Sequence, residues 1–348
     1  MATRVRSYSK INLGLAIGPV RADGFHGLAT LYQTLALHDL VTVEARTVGW
    51  GPASPSQPTR ISLTTNHPGV PTDARNTAWK MVELALARME IAAEVAIHIE
   101  KALPVQGGMG AGSANAAAAL IALEREFGVE VPGRMEIAAE VGSDVPLFLV
   151  GGAVLGVGRG EVVSAMPDLP ATWCVVAVPE VGVSTPRAFQ DWDSLCAANA
   201  LLTSPAGPDR LEQLSHAYAS VFGVSPATEP APDTSGIVRG LEQGDTRNDL
   251  AGNLLLALVR TGIENDFEQV VFPQYPLLRE IKHELMGIGS GSPAWYAALS
   301  GSGSALFGLY RSVSDAEAAQ QRVQAAGCKA ILTETLPREQ YWRTMFAE

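Results

Sequence analysis

The chain has 348 residues, 47% apolar and 18% charged, which is enough to bury a core and long enough for two domains. Its formal net charge of -11, with no basic run, argues against a general nucleic-acid or anionic-membrane role, because phosphate backbones are bound through clustered Lys and Arg. Any phosphate-bearing ligand must be held locally, by backbone N–H groups and a few placed cations. Cys174, Cys196 and Cys328 lie far apart without Cys-x-x-Cys spacing, which predicts a reducing compartment and no structural disulfide. Arg4, Arg6 and Lys10 ahead of the apolar stretch Ile11 to Val20 imitate a signal peptide, but Asn12, Gly14, Gly18 and Pro19 interrupt it. Other uncharged apolar runs fall short of the ~20 residues that cross a bilayer, so a cytoplasmic protein is expected.

In chain order, Val5 to Ile17 and Asp39 to Arg46 read as strands, followed by a Pro/Ser/Gly-rich loop over Trp50 to Pro58 and a short strand over Arg60 to Thr65. Asn76 to Met89 has apolar residues at helical spacing, and Glu94 to Glu100 alternates as a strand does. Gly107 to Gly112 is glycine-rich. The Ala/Leu run Ser113 to Phe127, with Ser113 as expected N-cap and Gly128 after its end, predicts a helix. Thr203 to Ser235 is rich in Pro, Ser and Thr around a helical patch, Asp209 to Phe222, and predicts a surface insertion. Asn248 to Thr261 and Pro276 to Leu285 read as helices, and Gly/Ser clusters cover Gly287 to Ser292 and Ser300 to Ser304. Strand Ala305 to Tyr310, helix Ser314 to Ala326 and strand Ala330 to Thr335 have a ferredoxin-like rhythm. A domain boundary is expected near residue 165, giving domains 1–165 and 166–348.

Leu103-Pro104-Val105-Gln106-Gly107-Gly108-Met109-Gly110-Ala111-Gly112-Ser113-Ala114-Asn115-Ala116 joins a strand to a helix. Its glycines let the backbone approach a ligand and turn successive N–H groups onto an anion, and the helix adds its positive N-terminal end. There is no Gly-Lys pair, hence no Walker A loop, and no strict GxGxxG fingerprint. A cation must come from elsewhere in the chain. On a strand Lys10 and Asn12 face the same way, a candidate ligand-facing pair. Asp144, in Gly142-Ser143-Asp144-Val145-Pro146-Leu147-Phe148, reads equally as a cap or as a catalytic carboxylate.

These segments resemble the signatures of the GHMP kinases, and among them of the diphosphocytidyl-methylerythritol kinases. The matching pieces are Lys10-Ile11-Asn12-Leu13, Arg21-Ala22-Asp23-Gly24-Phe25-His26, Thr30-Leu31-Tyr32-Gln33, the glycine loop, Gly142 to Phe148, and Pro179 to Phe189. Gly156 to Glu161, Asn265-Asp266-Phe267-Glu268 and Leu299 to Phe307 add to them, so that the resemblance runs from about Lys10 to Tyr310. It implies an α+β, two-domain GHMP kinase fold, with a ribosomal-protein-S5-like N-terminal domain and a ferredoxin-like C-terminal domain.

It also implies ATP and Mg²⁺ as cofactors. Gly107, Gly108, Gly110, Gly112 and Ser113 would wrap the phosphates, with Pro104, Asn115 and Asn76 in the nucleotide site, Asn76 either approaching adenine or serving only as a helix cap. Lys10 and Asp144 would be the catalytic pair. Asn12, Phe25, His26, Thr185 and Phe189 would bind the acceptor, a cytidine-diphosphate-linked methylerythritol, with Phe25 and Phe189 on the two faces of cytosine and His26 reading it. Gly156 to Glu161 would form a turn near the acceptor. No nucleic-acid or membrane partner is implied, and the chain would be a monomer or homodimer. A kinase for another alcohol, such as mevalonate or homoserine, and a silent binding protein on the same fold remain the alternatives. No HExxH, GxSxG or Cys/His metal spacing supports an unrelated enzyme.

Overall fold

Two long antiparallel strands begin the chain, β1 (Thr3–Val20) and β2 (His26–Trp50). The computed structural model describes residues 2–50, 59–105, 107–198 and 263–348. The expected insertion 203–235 with its helical patch, the helix expected over 248–261 and residues 51–58 of the expected loop lie outside the described residues.

β2 is far longer than the strand expected from Asp39 to Arg46, because its two halves serve different partners. Leu28 to Gln33 pair with β5 (Ala153–Gly158), and Leu40 to Trp50 pair with β4 (Ile91–Glu100). β3 (Arg60–Thr65) runs parallel to β4, β6 (Val162–Ala165) pairs with β5, and the C-terminal strand β11 (Phe346–Ala347) returns to pair with β1. In β4, Val95, Ile97 and Ile99 point inward while Ala96, His98 and Glu100 are exposed, as period-two alternation requires.

Three helices, α1 (Thr77–Met89), α2 (Ala111–Phe127) and α3 (Arg134–Val141), share a core with this sheet. Every residue of α2 from Ala114 to Leu123 is buried, and six of these ten are alanine, so the backbone can lie close against the sheet. Alanine also has the highest helix propensity, which suits so central a helix. The expected cap at Ser113 is corrected: the N-cap is Gly110, at φ 70°, and Ser113 is the third residue of the helix. Left-handed geometry at that position favours glycine, and no side chain caps the helix, so the first-turn N–H groups face the loop.

The second sheet has strand order β10-β7-β9-β8, formed by β7 (Trp173–Val178), β8 (Tyr296–Leu299), β9 (Leu306–Tyr310) and β10 (Lys329–Glu334), all antiparallel. Between β7 and β8 lie α4 (Thr185–Ala198), α5 (Glu268–Gln274) and α6 (Pro276–Met286); α7 (Val313–Ala325) joins β9 to β10. This is the β-α-β-β-α-β arrangement of a ferredoxin-like unit. A final helix, α8 (Arg338–Arg343), precedes β11. The expected boundary at residue 165 falls at the end of β6, while residues 346–347 rejoin the first sheet.

Residues 264–266 fasten the two sheets at one point. Leu15 N donates to Glu264 O at 2.9 Å, Asp266 N donates to Leu15 O at 3.0 Å, and the Asp266 carboxylate accepts from Ile17 N at 2.8 Å. Asn265 Nδ2 donates to the carbonyls of Leu299 and Gly301, both at 2.8 Å. The Asn-Asp-Phe-Glu segment thus sets the turn between β8 and β9 against the first sheet.

Candidate active site

β1 carries bulges between Tyr8 and Lys10 and between Asn12 and Gly14, and the short stretch between them presents Lys10 and Asn12 to the same side. Lys10 is 3% exposed, and its ammonium donates to Asn12 Oδ1 at 2.7 Å and to the Gly108 carbonyl at 2.9 Å. Asn12 is held in turn, its Nδ2 donating to Thr30 Oγ1 at 2.8 Å. Asp144 lies in the turn between α3 and the 3₁₀ segment Pro146–Leu149, with Oδ2 3.4 Å from Lys10 Nζ and a side chain 31% exposed. A buried ammonium is costly unless paired, and here carbonyl, amide and carboxylate oxygens surround it. Sequence reasoning expected Lys10 and Asp144 to meet, and they do.

Tyr32, opposite Asn12 in the β1–β2 register, donates its hydroxyl to Asp144 Oδ1 at 3.0 Å. Its ring lies 5.6 Å from Lys10 Nζ. Burial pushes the phenol well above the usual tyrosine range, and the Asp144 charge and hydrogen bond add to the effect, so Tyr32 acts as a donor.

The glycine loop forms one wall of a cleft of about 390 Å³ lined by Asn76, Pro104, Gly107, Gly108, Gly110, Gly112, Ser113 and Asn115 among others. A second pocket, of about 530 Å³, holds Lys10, Asn12, Phe25, His26, Asp144, Thr185 and Phe189. Gly108 and Gly110 belong to both linings, so the two cavities meet at the loop beside Lys10. A Cβ on Gly108, at φ +73°, would lie 2.2 Å from the Ser300 carbonyl oxygen; one on Gly110 would lie 3.0 Å from Phe148 and 3.1 Å from Lys10 Cγ. Positive φ and close approach both demand glycine here, and together with the uncapped start of α2 they make a cradle that fits a polyphosphate.

Within that cleft the nucleotide-site residues divide. Asn76 caps α1, accepting from Ala78 N at 2.9 Å while its Nδ2 donates to Pro71 O at 2.8 Å, so both ends of the amide are occupied. Asn115 turns inward: its amide nitrogen donates to Ser7 Oγ at 2.7 Å and to Asp39 Oδ2 at 3.1 Å. Asp39 is fully buried, ion-paired with Lys101, and accepts from the N–H groups of Ala102 and Leu103 at 2.8 Å. It anchors the chain where β4 enters the glycine loop.

In the acceptor pocket the rings of His26 and Phe189 stack directly, 4.7 Å between centroids at 14°, and Phe189 meets Phe267 edge to face. A stacked aromatic base needs about 3.5 Å on each side, so none fits between His26 and Phe189. His26 Nε2 pairs with Asp193 Oδ1 at 2.8 Å, which fixes the ring from α4. Phe25 is 51% exposed at the pocket mouth, with Arg159 4.8 Å above its ring. Thr185 Oγ1 and Ser302 Oγ share a hydrogen bond of 2.7 Å, linking α4 to the β8–β9 turn.

Sequence reasoning missed Tyr32, Asp39, Arg159 and Asp193 as site residues. Tyr32 was within reach, since it stands in a recognised segment, although only the strand register puts it beside Asn12. Asp193 and Asp39 had no local signal, because their partners are 167 and 62 residues away.

Among the described residues no group of three His, Cys, Asp or Glu side chains could hold a metal, and no helix is long and apolar enough to cross a membrane. An uncapped helix start and a positive-φ glycine loop beside a buried lysine and a half-exposed carboxylate define a small-molecule phosphotransferase. Residues 76–152 match the GHMP kinase N-terminal domain and residues 246–329 the GHMP kinase C-terminal domain. The 4-diphosphocytidyl-2-C-methyl-D-erythritol kinase of Heliobacterium modesticaldum is 34% identical over 97% of this chain and 96% of its own length. The enzyme of that name from a Synechococcus strain is 33% identical over 97% and 92%. A crystal structure of a 4-(cytidine 5'-diphospho)-2C-methyl-D-erythritol kinase superposes with a TM-score of 0.64 at 26% identity, covering 95% of this chain and 98% of that one. Homoserine kinase from Cytophaga hutchinsonii shares the fold, with a TM-score of 0.63 at 18% identity, 98% of this chain and 96% of that one covered. The chain belongs to the GHMP kinases, and within them to the family of its 4-diphosphocytidyl-2-C-methyl-D-erythritol kinase relatives. It is an ATP-dependent kinase acting on a small molecule.

Proposed function

We propose that this kinase transfers the γ-phosphoryl group of ATP to the 2-hydroxyl of 4-diphosphocytidyl-2-C-methyl-D-erythritol, in the non-mevalonate supply of isoprenoid precursors. The observation that carries the reading is the meeting of two cavities at Gly108 and Gly110, one glycine-walled and one aromatic, with Lys10 and Asp144 on the acceptor side of that junction.

Gly107, Gly108, Gly110, Gly112 and Ser113 hold the phosphates through backbone N–H groups and the start of α2, with Asn76 and Pro104 at the adenine end. Asp144 takes the proton of the attacking hydroxyl, a contribution of roughly 10²–10⁴-fold. Lys10 holds its ammonium 3.4 Å from the Asp144 carboxylate. Two of the ammonium's N–H groups are spent on Asn12 and Gly108, and the third faces the carboxylate and the transferring group, whose negative charge it offsets. Because the transition state is loose, this positioning and neutralisation matter at least as much as proton removal.

Mg²⁺ bound with ATP supplies further neutralisation between the phosphates. It takes few protein ligands and keeps waters, so Ser113 at the start of α2 would be the protein oxygen that holds it.

Phe25 and Phe189 hold the cytosine, with the stacked His26–Phe189 pair as floor and Phe25 closing from the mouth; Asn12 touches the acceptor, and Thr185 sets the distance to the β8–β9 turn. Mevalonate or homoserine, lacking a base, would leave this cluster of rings without a partner. The reading includes a division into domains near residue 165, a cytoplasmic setting, no nucleic-acid or membrane partner, and a monomer or homodimer.

ADP release measured across candidate alcohols tests the assignment. Turnover should depend on the cytidylyl group and be inhibited by cytidine diphosphate; equal turnover of free methylerythritol would overturn it.

A further inference from the structure

The Gly156 to Glu161 turn, expected from sequence beside the acceptor, packs around Tyr32. A Cβ on Gly156 would lie 2.6 Å from Tyr32 Cε2, and a Cβ on Gly160, at φ +101°, would lie 2.6 Å from the Tyr32 hydroxyl oxygen. Tyr32 is 2% exposed, its ring beside the Lys10 ammonium and its hydroxyl on Asp144 Oδ1. Asp144 is therefore gripped at both oxygens, by Lys10 at Oδ2 and by Tyr32 at Oδ1. Among the described residues Lys10 and Tyr32 are the polar partners that fix the plane of this carboxylate, and a single contact would leave it free to rotate.

Resting on the kinase reading above, we propose that Tyr32 is a positioning residue for the phosphoryl transfer: its hydroxyl fixes the plane of the Asp144 carboxylate so that Oδ2 faces both Lys10 and the attacking hydroxyl. The glycines at 156 and 160 keep the space this ring needs. The residue acts through Asp144 in this role. A hydrogen bond to an ionised group is among the stronger ones, and a misaligned base loses rate out of proportion to the displacement.

Steady-state kinetics of the wild type, Tyr32→Phe, Asp144→Asn and the double variant test this, using ATP and the cytidine-diphosphate-linked alcohol. Tyr32→Phe keeps the ring and its packing, so both KM values should stay within about twofold while kcat falls about tenfold. In the Asp144→Asn background the same substitution should change kcat less than about twofold, since the carboxylate it serves is gone. A Tyr32→Phe enzyme with unchanged kcat, one whose KM values rise as much as kcat falls, or one that loses rate equally in both backgrounds, overturns the proposal. Where Asp144→Asn turnover is too slow to follow, the split between kcat and the two KM values of Tyr32→Phe decides alone. A wild type that transfers no phosphate to this acceptor would instead refute the kinase assignment, so the two failures are distinct.

Discussion

The Ser300 hydroxyl donates to the Gly108 carbonyl at 3.0 Å, joining two turns that lie 192 residues apart in the chain. The same carbonyl accepts from Lys10 Nζ, and Ala305 N donates to Gly107 O at 3.2 Å, so the glycine loop is shaped by both sheets at once. The loop is a preformed element of the interface between the two sheets, and its rigidity comes from those bonds rather than from its glycine-rich sequence.

Gly108→Ala should therefore be severe. The new methyl would sit 2.2 Å from the Ser300 carbonyl oxygen at a φ of +73°, so the β8–β9 turn or the loop must move. A displacement of about 1 Å at the reacting centre costs on the order of 100-fold, and kcat for Gly108→Ala should fall by at least that much. Steady-state kinetics check it, with thermal unfolding as the control for global stability.

Asp39→Ala should damage the fold more than the chemistry. It removes one partner of a pair in which Asp39 is fully buried and Lys101 is 4% exposed, and strips the N–H groups of Ala102 and Leu103 of their acceptor. Breaking a buried pair in this way costs about 3–5 kcal/mol. Urea unfolding should show that loss as a lowered midpoint with an unchanged slope. Because Asp39 anchors the entry to the glycine loop, the KM for ATP should rise while the KM for the acceptor stays near the wild-type value.

Phe189→Ala should separate the two cavities. Phe189 stacks on His26, packs edge to face on Phe267, and lines the acceptor pocket but not the glycine-walled cleft. Loss of aromatic stacking on a base costs about 1–3 kcal/mol, so the acceptor KM should rise roughly 5- to 150-fold with little change in the KM for ATP. Substrate titrations of each ligand at saturating levels of the other measure it.

What the sequence made legible followed from local pattern. The alternation of Val95, Ile97 and Ile99, the alanine run of α2 and the glycine loop each state their structure within a few residues, and β3 falls on the expected Arg60 to Thr65. Lys10 and Asp144 could be matched only through resemblance, since nothing in strand or turn chemistry brings positions 134 residues apart together. The full length of β2 was hidden because residues 26–38 alternate weakly and are fixed by pairing with β1 and, from Leu28 to Gln33, with β5. The Ser113 hydroxyl suits a cap, but α2 is capped three residues earlier, at Gly110, where glycine can adopt positive φ. The roles of Tyr32 and Asp193 depend on tertiary contacts that no local pattern encodes.

The most direct test of the phosphoryl-transfer centre is single-turnover transfer of labelled γ-phosphate from ATP to the cytidine-diphosphate-linked alcohol by Asp144→Asn. With the fold intact, the rate should fall roughly 10²–10⁴-fold. Near-normal transfer by a folded Asp144→Asn enzyme would remove this carboxylate from the chemistry and contradict the account.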